Sequence, residues 1–291
     1  MWIEEDTAVG QLRARVRRPA DGPAVPGLVF VDGSGNSALE DHGDWPQWIS
    51  SCGAAVLWHD KPGSGPSPGN WRHQSPADRA DEALAAVDVL RSWPGVDPER
   101  IGLIGWSQGG WVSLLAAATG RVDHVVTVSG PGMSMAEQER WRIERSLVLD
   151  GVPTEDAMAW VDERTRRLRA GESPARIIAD QERFRDRPWY PQVSLVYDVE
   201  ERLGFFARSM DVDPAGQLPH LACPVLALFG GADDIIPVPD SVVAFAPHAT
   251  GLAVFPGADH SLFTADPAPD VPRVEQLAPG FLPMLRAFLA G

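Results

Sequence analysis

The stretch Ile101-Gly102-Leu103-Ile104-Gly105-Trp106-Ser107-Gln108-Gly109-Gly110 constrains the fold of this chain more than any other. A short apolar run reads as a buried strand, Gly-x-Ser-x-Gly follows without a gap, and Trp111-Val112-Ser113-Leu114-Leu115-Ala116 has the small, apolar character of a packed helix. Strand must give way to helix within a few residues around Ser107, and the glycines at 105, 109 and 110 remove the Cβ atoms that such a reversal would crowd. The spacing predicts a serine hydroxyl raised at a strand end, with the positive end of a helix and the N–H of Gln108 beside it. A second match, Gly65-Pro66-Ser67-Pro68-Gly69, lacks this context: Pro68 has no N–H to offer, and Asn70-Trp71-Arg72-His73 does not begin an apolar helix. It reads as a turn.

The rest of the chain repeats the pattern of strand and helix. Apolar runs at 27–31, 54–59, 125–128, 224–229 and 252–255 read as buried strands, and 76–90, capped by Ser75 with proline at its first position, reads as a crossover helix. Two alternating β segments within 1–18 precede them, Val96 to Arg100 reads as a turn into the serine strand, 265–272 reads as a Pro-rich linker, and 281–290 reads as a closing helix. Such alternation predicts an α/β fold with a mostly parallel sheet flanked by helices. From 133 to 214 there is no apolar strand, only charged helical segments such as 155–170, with Met158, Val161, Thr165 and Leu168 on one face. The expected organisation is therefore a core of 1–132 and 215–291 carrying a helical cap insertion at 133–214. The basic run Arg164-Thr165-Arg166-Arg167 reads as a solvated helix face.

With 291 residues and 44 % hydrophobic content, one large α/β domain with an insertion is the natural size. A net charge of -15 argues against nucleic acid or an anionic membrane as partner, and favours a small molecule. The opening Met1-Trp2-Ile3-Glu4-Glu5-Asp6 has neither the basic region nor the apolar core of a signal peptide, so the chain reads as cytoplasmic. Cys52 and Cys223 read as buried free thiols, and no metal-ligand spacing occurs, so no metal is expected.

The run 27–31 stops at Asp32-Gly33-Ser34-Gly35. Gly33-Ser34-Gly35-Asn36-Ser37-Ala38 matches a dinucleotide-binding pattern, with Asp60 after the next strand, but 39–46 is polar and broken where that fold needs a helix. The turn better suits a second role, in which the N–H of Ser34 joins that of Gln108 to complete an oxyanion hole. A serine alcohol also needs a base and an orienting acid. His260 follows the last strand and Asp233 the one before, so a parallel sheet carries both to the carboxyl edge that holds Ser107; Asp234 is a second possible acid. The remaining histidines read as structural or exposed. Trp106 and Trp111 flank the serine as candidate walls of a substrate pocket, with core packing as the alternative.

On these residues the chain resembles the α/β-hydrolases: the turn 32–35, the serine elbow, Gly230-x-x-Asp233-x-x-x-Pro237, and Gly257-x-Asp259-His260. Asp211-Val212-Asp213-Pro214 ahead of 223–229 is similar to the branch containing carboxylesterases, acyl-thioester hydrolases and prolyl-oligopeptidase-like domains. The resemblance implies Ser107 as nucleophile, Asp233 as orienting acid, His260 as general base and no cofactor. Many relatives carry histidine where Asp32 stands. The expected activity is hydrolysis of a carboxylic ester or related acyl bond of a small-molecule acyl substrate through an acyl-enzyme. The same residues would also serve a thioesterase, acyltransferase, peptidase or cofactor-free perhydrolase, and a catalytically silent binding protein would keep the same pocket.

Overall fold

The structure, a computed structural model, describes residues 1–195, 197–264 and 270–291. Eight strands, β1 (Trp2–Val9), β2 (Leu12–Pro19), β3 (Val25–Val31), β4 (Ala55–His59), β5 (Val96–Trp106), β6 (His124–Val128), β7 (Val225–Gly230) and β8 (Gly251–Phe255), form one sheet in the order β1-β2-β4-β3-β5-β6-β7-β8. The hairpin β1–β2 joins β4 antiparallel; every other pairing is parallel. In β2, Leu12, Ala14 and Val16 are buried and alternate with partly exposed arginines, as a half-covered strand requires. β3, β4 and β6 are buried almost throughout, consistent with their unbroken apolar runs.

Helices cover both faces. Against one lie α2 (Pro76–Arg91), α3 (Gln108–Ala117) and α9 (Val238–Phe245); against the other lie α1 (Trp45–Ser51) and α10 (Phe281–Ala290). The start of α2 follows from its sequence: Ser75 Oγ accepts from the Asp78 N–H at 3.2 Å, and Asp78 returns the bond to the Ser75 N–H at 2.7 Å. One expected boundary moves. Residues 96–100 belong to β5 rather than to a turn before it, because Val96 pairs with Val25 across a register shift in β3.

Between β6 and β7 run α4 (Met135–Leu149), α5 (Glu155–Arg169), α6 (Pro174–Gln181), α7 (Tyr190–Ser194) and α8 (Glu200–Ser209), which share an apolar cluster of their own around Ile143, Trp160, Leu203 and Phe206. Here the reading of 164–167 as a solvated face needs correction. Arg164 is fully buried, donating to the Val193 carbonyl at 2.9 Å and to Gln181 Oε1 at 3.3 Å while its guanidinium lies 4.4 Å from the centre of the Tyr197 ring. Helical periodicity explains this: 164 shares the inward face with 157, 160, 161 and 168, whereas Arg166 turns outward.

Both cysteines are free, Cys52 buried and Cys223 half-buried rather than enclosed. Most of the expected linker, residues 265–269, lies outside the described residues. Among the described residues no helix is long and apolar enough to cross a membrane.

Candidate active site

Ser107 lies directly between β5 and α3, with φ 52° and ψ −120°, a backbone region that residues other than glycine seldom occupy. Its surroundings impose it. The Ser107 N–H donates to Val128 O on β6 at 2.8 Å, and α3 is pressed so close to β3 that a Cβ on Gly109 would stand 2.0 Å from Val31 O. The hydroxyl is thereby turned into a cavity of about 360 Å³, whose floor includes Ser34, Ser107, Gln108 and Trp111. Met135 and Arg142 of α4, Tyr197 of the loop before α8, and Phe205 of α8 close it from the helical segment between β6 and β7.

Gln108 is the first residue of α3, so its N–H has no acceptor within the helix. The N–H of Ser34 likewise has no hydrogen-bond partner among the described residues. Both residues line the cavity with Ser107, and Gly33 brings the turn so near that a Cβ there would touch the Ser107 Cβ at 3.3 Å. The arrangement can present two donors to an oxygen bearing developing negative charge.

The turns after β7 and β8 are laced together. Gly231 N–H donates to Phe255 O and Ala232 N–H to Ala258 O, both at 2.8 Å, and Gly230 sits where a Cβ would lie 2.0 Å from Asp259 O. Asp259 in turn accepts from the N–H groups of Ser261 and Phe263 at 2.9 Å, shaping the loop that carries His260. This lacing sets His260 Nδ1 2.7 Å from Asp233 Oδ2. The other carboxylate oxygen of Asp233 accepts from the N–H groups of Ile235 and Ile236 at 2.8 and 3.2 Å, so the acid is held at both ends. An acceptor at Nδ1 selects the tautomer with its proton there and leaves Nε2 as a base. Asp234 points to solvent and makes no such bond. Ser107 Oγ makes no hydrogen bond among the described residues; the structure joins Asp233 to His260 and leaves the third group at the same sheet edge unbonded.

Of the two tryptophans, Trp111 borders the cavity, with its Nε1 donating to Pro131 O at 2.8 Å. Trp106 does not. It lies one residue before the serine on a strand, so it faces the opposite layer, stacking on Phe30 at 4.6 Å and meeting Trp45 edge-on at 4.8 Å.

Three buried charged side chains under the 32–35 turn escaped sequence reading. Arg79 of α2 donates to Asp32 O at 3.0 Å and to Gln108 Oε1 at 3.1 Å; Lys61 Nζ donates to the carbonyls of Gly33 and Gly35; His42 Nε2 lies 3.0 Å from Asp32 Oδ2. Burial works against the charge on each of these groups. It pushes Lys61 well below its ordinary pKa, helped by the nearby positive charge of Arg79. Burial would raise the Asp32 carboxyl, but His42, Lys61 and Arg79 together draw it down to about 2. His42, which burial would lower, is raised by the same pairing. Nothing local in the sequence marks these residues, since polar letters on an amphipathic helix or in a Gly/Pro-rich loop ordinarily face water.

Comparison with known proteins agrees with this architecture. A model of the alpha/beta hydrolase family matches residues 25–271. No curated protein matches the chain. Among solved structures it is similar to DcsB in complex with its substrate analogue (TM-score 0.64, 18 % identity, 100 % of each chain) and to a hypothetical protein from Pseudomonas aeruginosa (0.61, 21 %, 100 % of this chain and 93 % of that one). It is also similar to 2,6-dihydroxy-pseudo-oxynicotine hydrolase (0.55, 19 %, 89 % of this chain), of which it spans 62 %.

Proposed function

The chain belongs to the alpha/beta hydrolase family, and from that premise we propose that it is a serine hydrolase cleaving a carboxylic ester of a small acyl substrate. Ser107 is the nucleophile, His260 the general base and Asp233 the acid that orients it. The reading rests above all on the 2.7 Å bond between His260 Nδ1 and Asp233 Oδ2 at the sheet edge where Ser107 is held in its strained conformation.

The chemistry then runs in two halves. Ser107 Oγ attacks the ester carbonyl carbon as His260 Nε2 takes its proton, and the carbonyl oxygen gathers negative charge between the N–H groups of Ser34 and Gln108. Collapse expels the alkoxide, which leaves as an alcohol with the proton from His260, and the acyl group stays on Ser107. Water repeats the sequence, losing a proton to His260, and releases the acid with Ser107 restored. Because Ser107 Oγ makes no hydrogen bond among the described residues, its contact with the imidazole forms as substrate fills the cavity. The segment 133–214 acts as the cap that walls this cavity and selects the substrate.

A fluorophosphonate probe with mass-spectrometric mapping tests the reading, alongside aryl esters of increasing chain length, acyl-thioesters and aminoacyl amides. An adduct on Ser107 and ester turnover that vanishes in Ser107→Ala are expected. Folded protein that neither reacts with the probe nor loses turnover on that substitution would sink it.

A further inference from the structure

The cavity wall holds cations that the hydrolytic steps do not use. Three arginines, Arg72, Arg142 and Arg202, line it together with Ser107, against one carboxylate, Glu139. Arg142 is committed: its fork closes on Glu139 at 2.6 and 2.9 Å. The other two are not. Arg72 makes no side-chain hydrogen bond among the described residues, and its nearest carboxylate, Glu201, is 3.9 Å away and already accepts from Asn70. Among the described residues Arg202 reaches only Asp198, at 3.4 Å through one nitrogen. Both partner acids lie outside the cavity wall, leaving most guanidinium N–H groups free.

Arg72 is also held in place. Its guanidinium lies 4.8 Å from the centre of the Trp71 ring, and Trp71 is fixed by a 2.7 Å bond from Nε1 to Asn36 Oδ1 and an edge-on contact with Phe205. A stacked, planar fork is pre-organised for an anion. The chain as a whole carries a net charge of -15 and would repel one, so an anion enters this cavity only if local cations receive it.

We propose that the substrate carries an anionic group, of carboxylate chemistry, in addition to its scissile ester, and that Arg72 and Arg202 bind that group. This rests on the serine hydrolase reading for the identity of the reaction, while the anion site itself does not depend on turnover.

The test compares mono-aryl esters of linear dicarboxylic acids with uncharged aryl esters of equal length. The acid-bearing series should show kcat/KM higher by about tenfold or more, mainly through KM, and the ratio should shrink with added salt. In Arg72→Gln/Arg202→Gln the ratio should fall towards one, while Arg166→Gln on the exposed face of α5 should preserve it. In parallel, Ser107→Ala is titrated calorimetrically with the dicarboxylate mono-anilide and its uncharged counterpart. Preferential binding of the acid, lost when Arg72→Gln and Arg202→Gln are combined with Ser107→Ala, supports the site even if the wild type proves unable to hydrolyse esters, an outcome that removes only the hydrolase reading. Equal handling of charged and uncharged members, in turnover and in binding, or a preference that survives loss of both arginines, overturns the proposal.

Discussion

The buried guanidinium of Arg79 donates to Gln108 Oε1 at 3.1 Å and thereby ties α2 to the first residue of α3. Its second nitrogen holds the Asp32 carbonyl at 3.0 Å. One side chain thus braces both turns that bring Gln108 and Ser34 to the cavity.

Arg79→Met should therefore lower kcat by about tenfold to a hundredfold, less than loss of a donor itself, with KM little changed. Stability should fall by about 2–4 kcal/mol, because two acceptors lose their bonds in a buried setting. Steady-state kinetics beside urea denaturation separates the two effects. A destabilised variant with unaltered kcat would show that the brace supports folding alone.

Asp233 and its neighbour Asp234 should behave oppositely. Asp233→Asn keeps the shape but offers His260 a donor as readily as an acceptor, so the imidazole loses its required tautomer and kcat should drop by roughly 10⁴. Asp234→Asn, on an exposed side chain, should stay within about twofold of wild type. Equal losses in the two variants would overturn the choice of acid.

Gly230→Ala probes the lacing of the two loops. Its Cβ would meet Asp259 O at 2.0 Å, against backbone that has no room to yield. The expected result is a stability loss of about 3 kcal/mol together with weakened activity, as the Asp259–His260 turn is pushed away from Asp233. Thermal melting and probe labelling of Ser107 measure both; an unchanged melting temperature would contradict the close approach.

The Asp32–His42 pair predicts a pH window. Asp32 is depressed from 3.8 to about 2, so its contribution to stability is present above its unfolded value and is lost as pH falls through the folded one. His42 is raised above 6.5, so its contribution is complete below that value and is lost as pH rises through the raised one. Compared by chemical denaturation, wild type should exceed Asp32→Asn by most between about pH 4 and 6.5, with the gap narrowing on both sides. A gap independent of pH would mean that the pair is not charged in the folded protein.

Much of the architecture was legible because it rests on local chemistry. Short apolar runs bounded by turn residues suit strands covered on both faces, Ser75 and Pro76 mark a helix start, and Gly-x-Ser-x-Gly between such a strand and helix admits few backbone paths. Ser107, Asp233 and His260 could be listed from chain position because a parallel sheet sends every strand's carboxyl end to one edge. Side-chain facing was less legible at junctions. Trp106 and Trp111 look equivalent as neighbours of the serine, yet strand alternation turns the first into the far layer while the helix carries the second to the cavity.

What the sequence determined by itself was the order of strands and helices and the residue types at their ends, since these follow from periodicity, glycine and proline over a few residues. Tertiary structure alone decided that Arg79, Lys61 and His42 lie buried beneath the 32–35 turn and that Arg72 and Arg202 face the same cavity as Ser107. Those relations join segments tens to more than a hundred residues apart, and a polar letter in a sequence carries no sign of whether its partner will be water or another part of the chain.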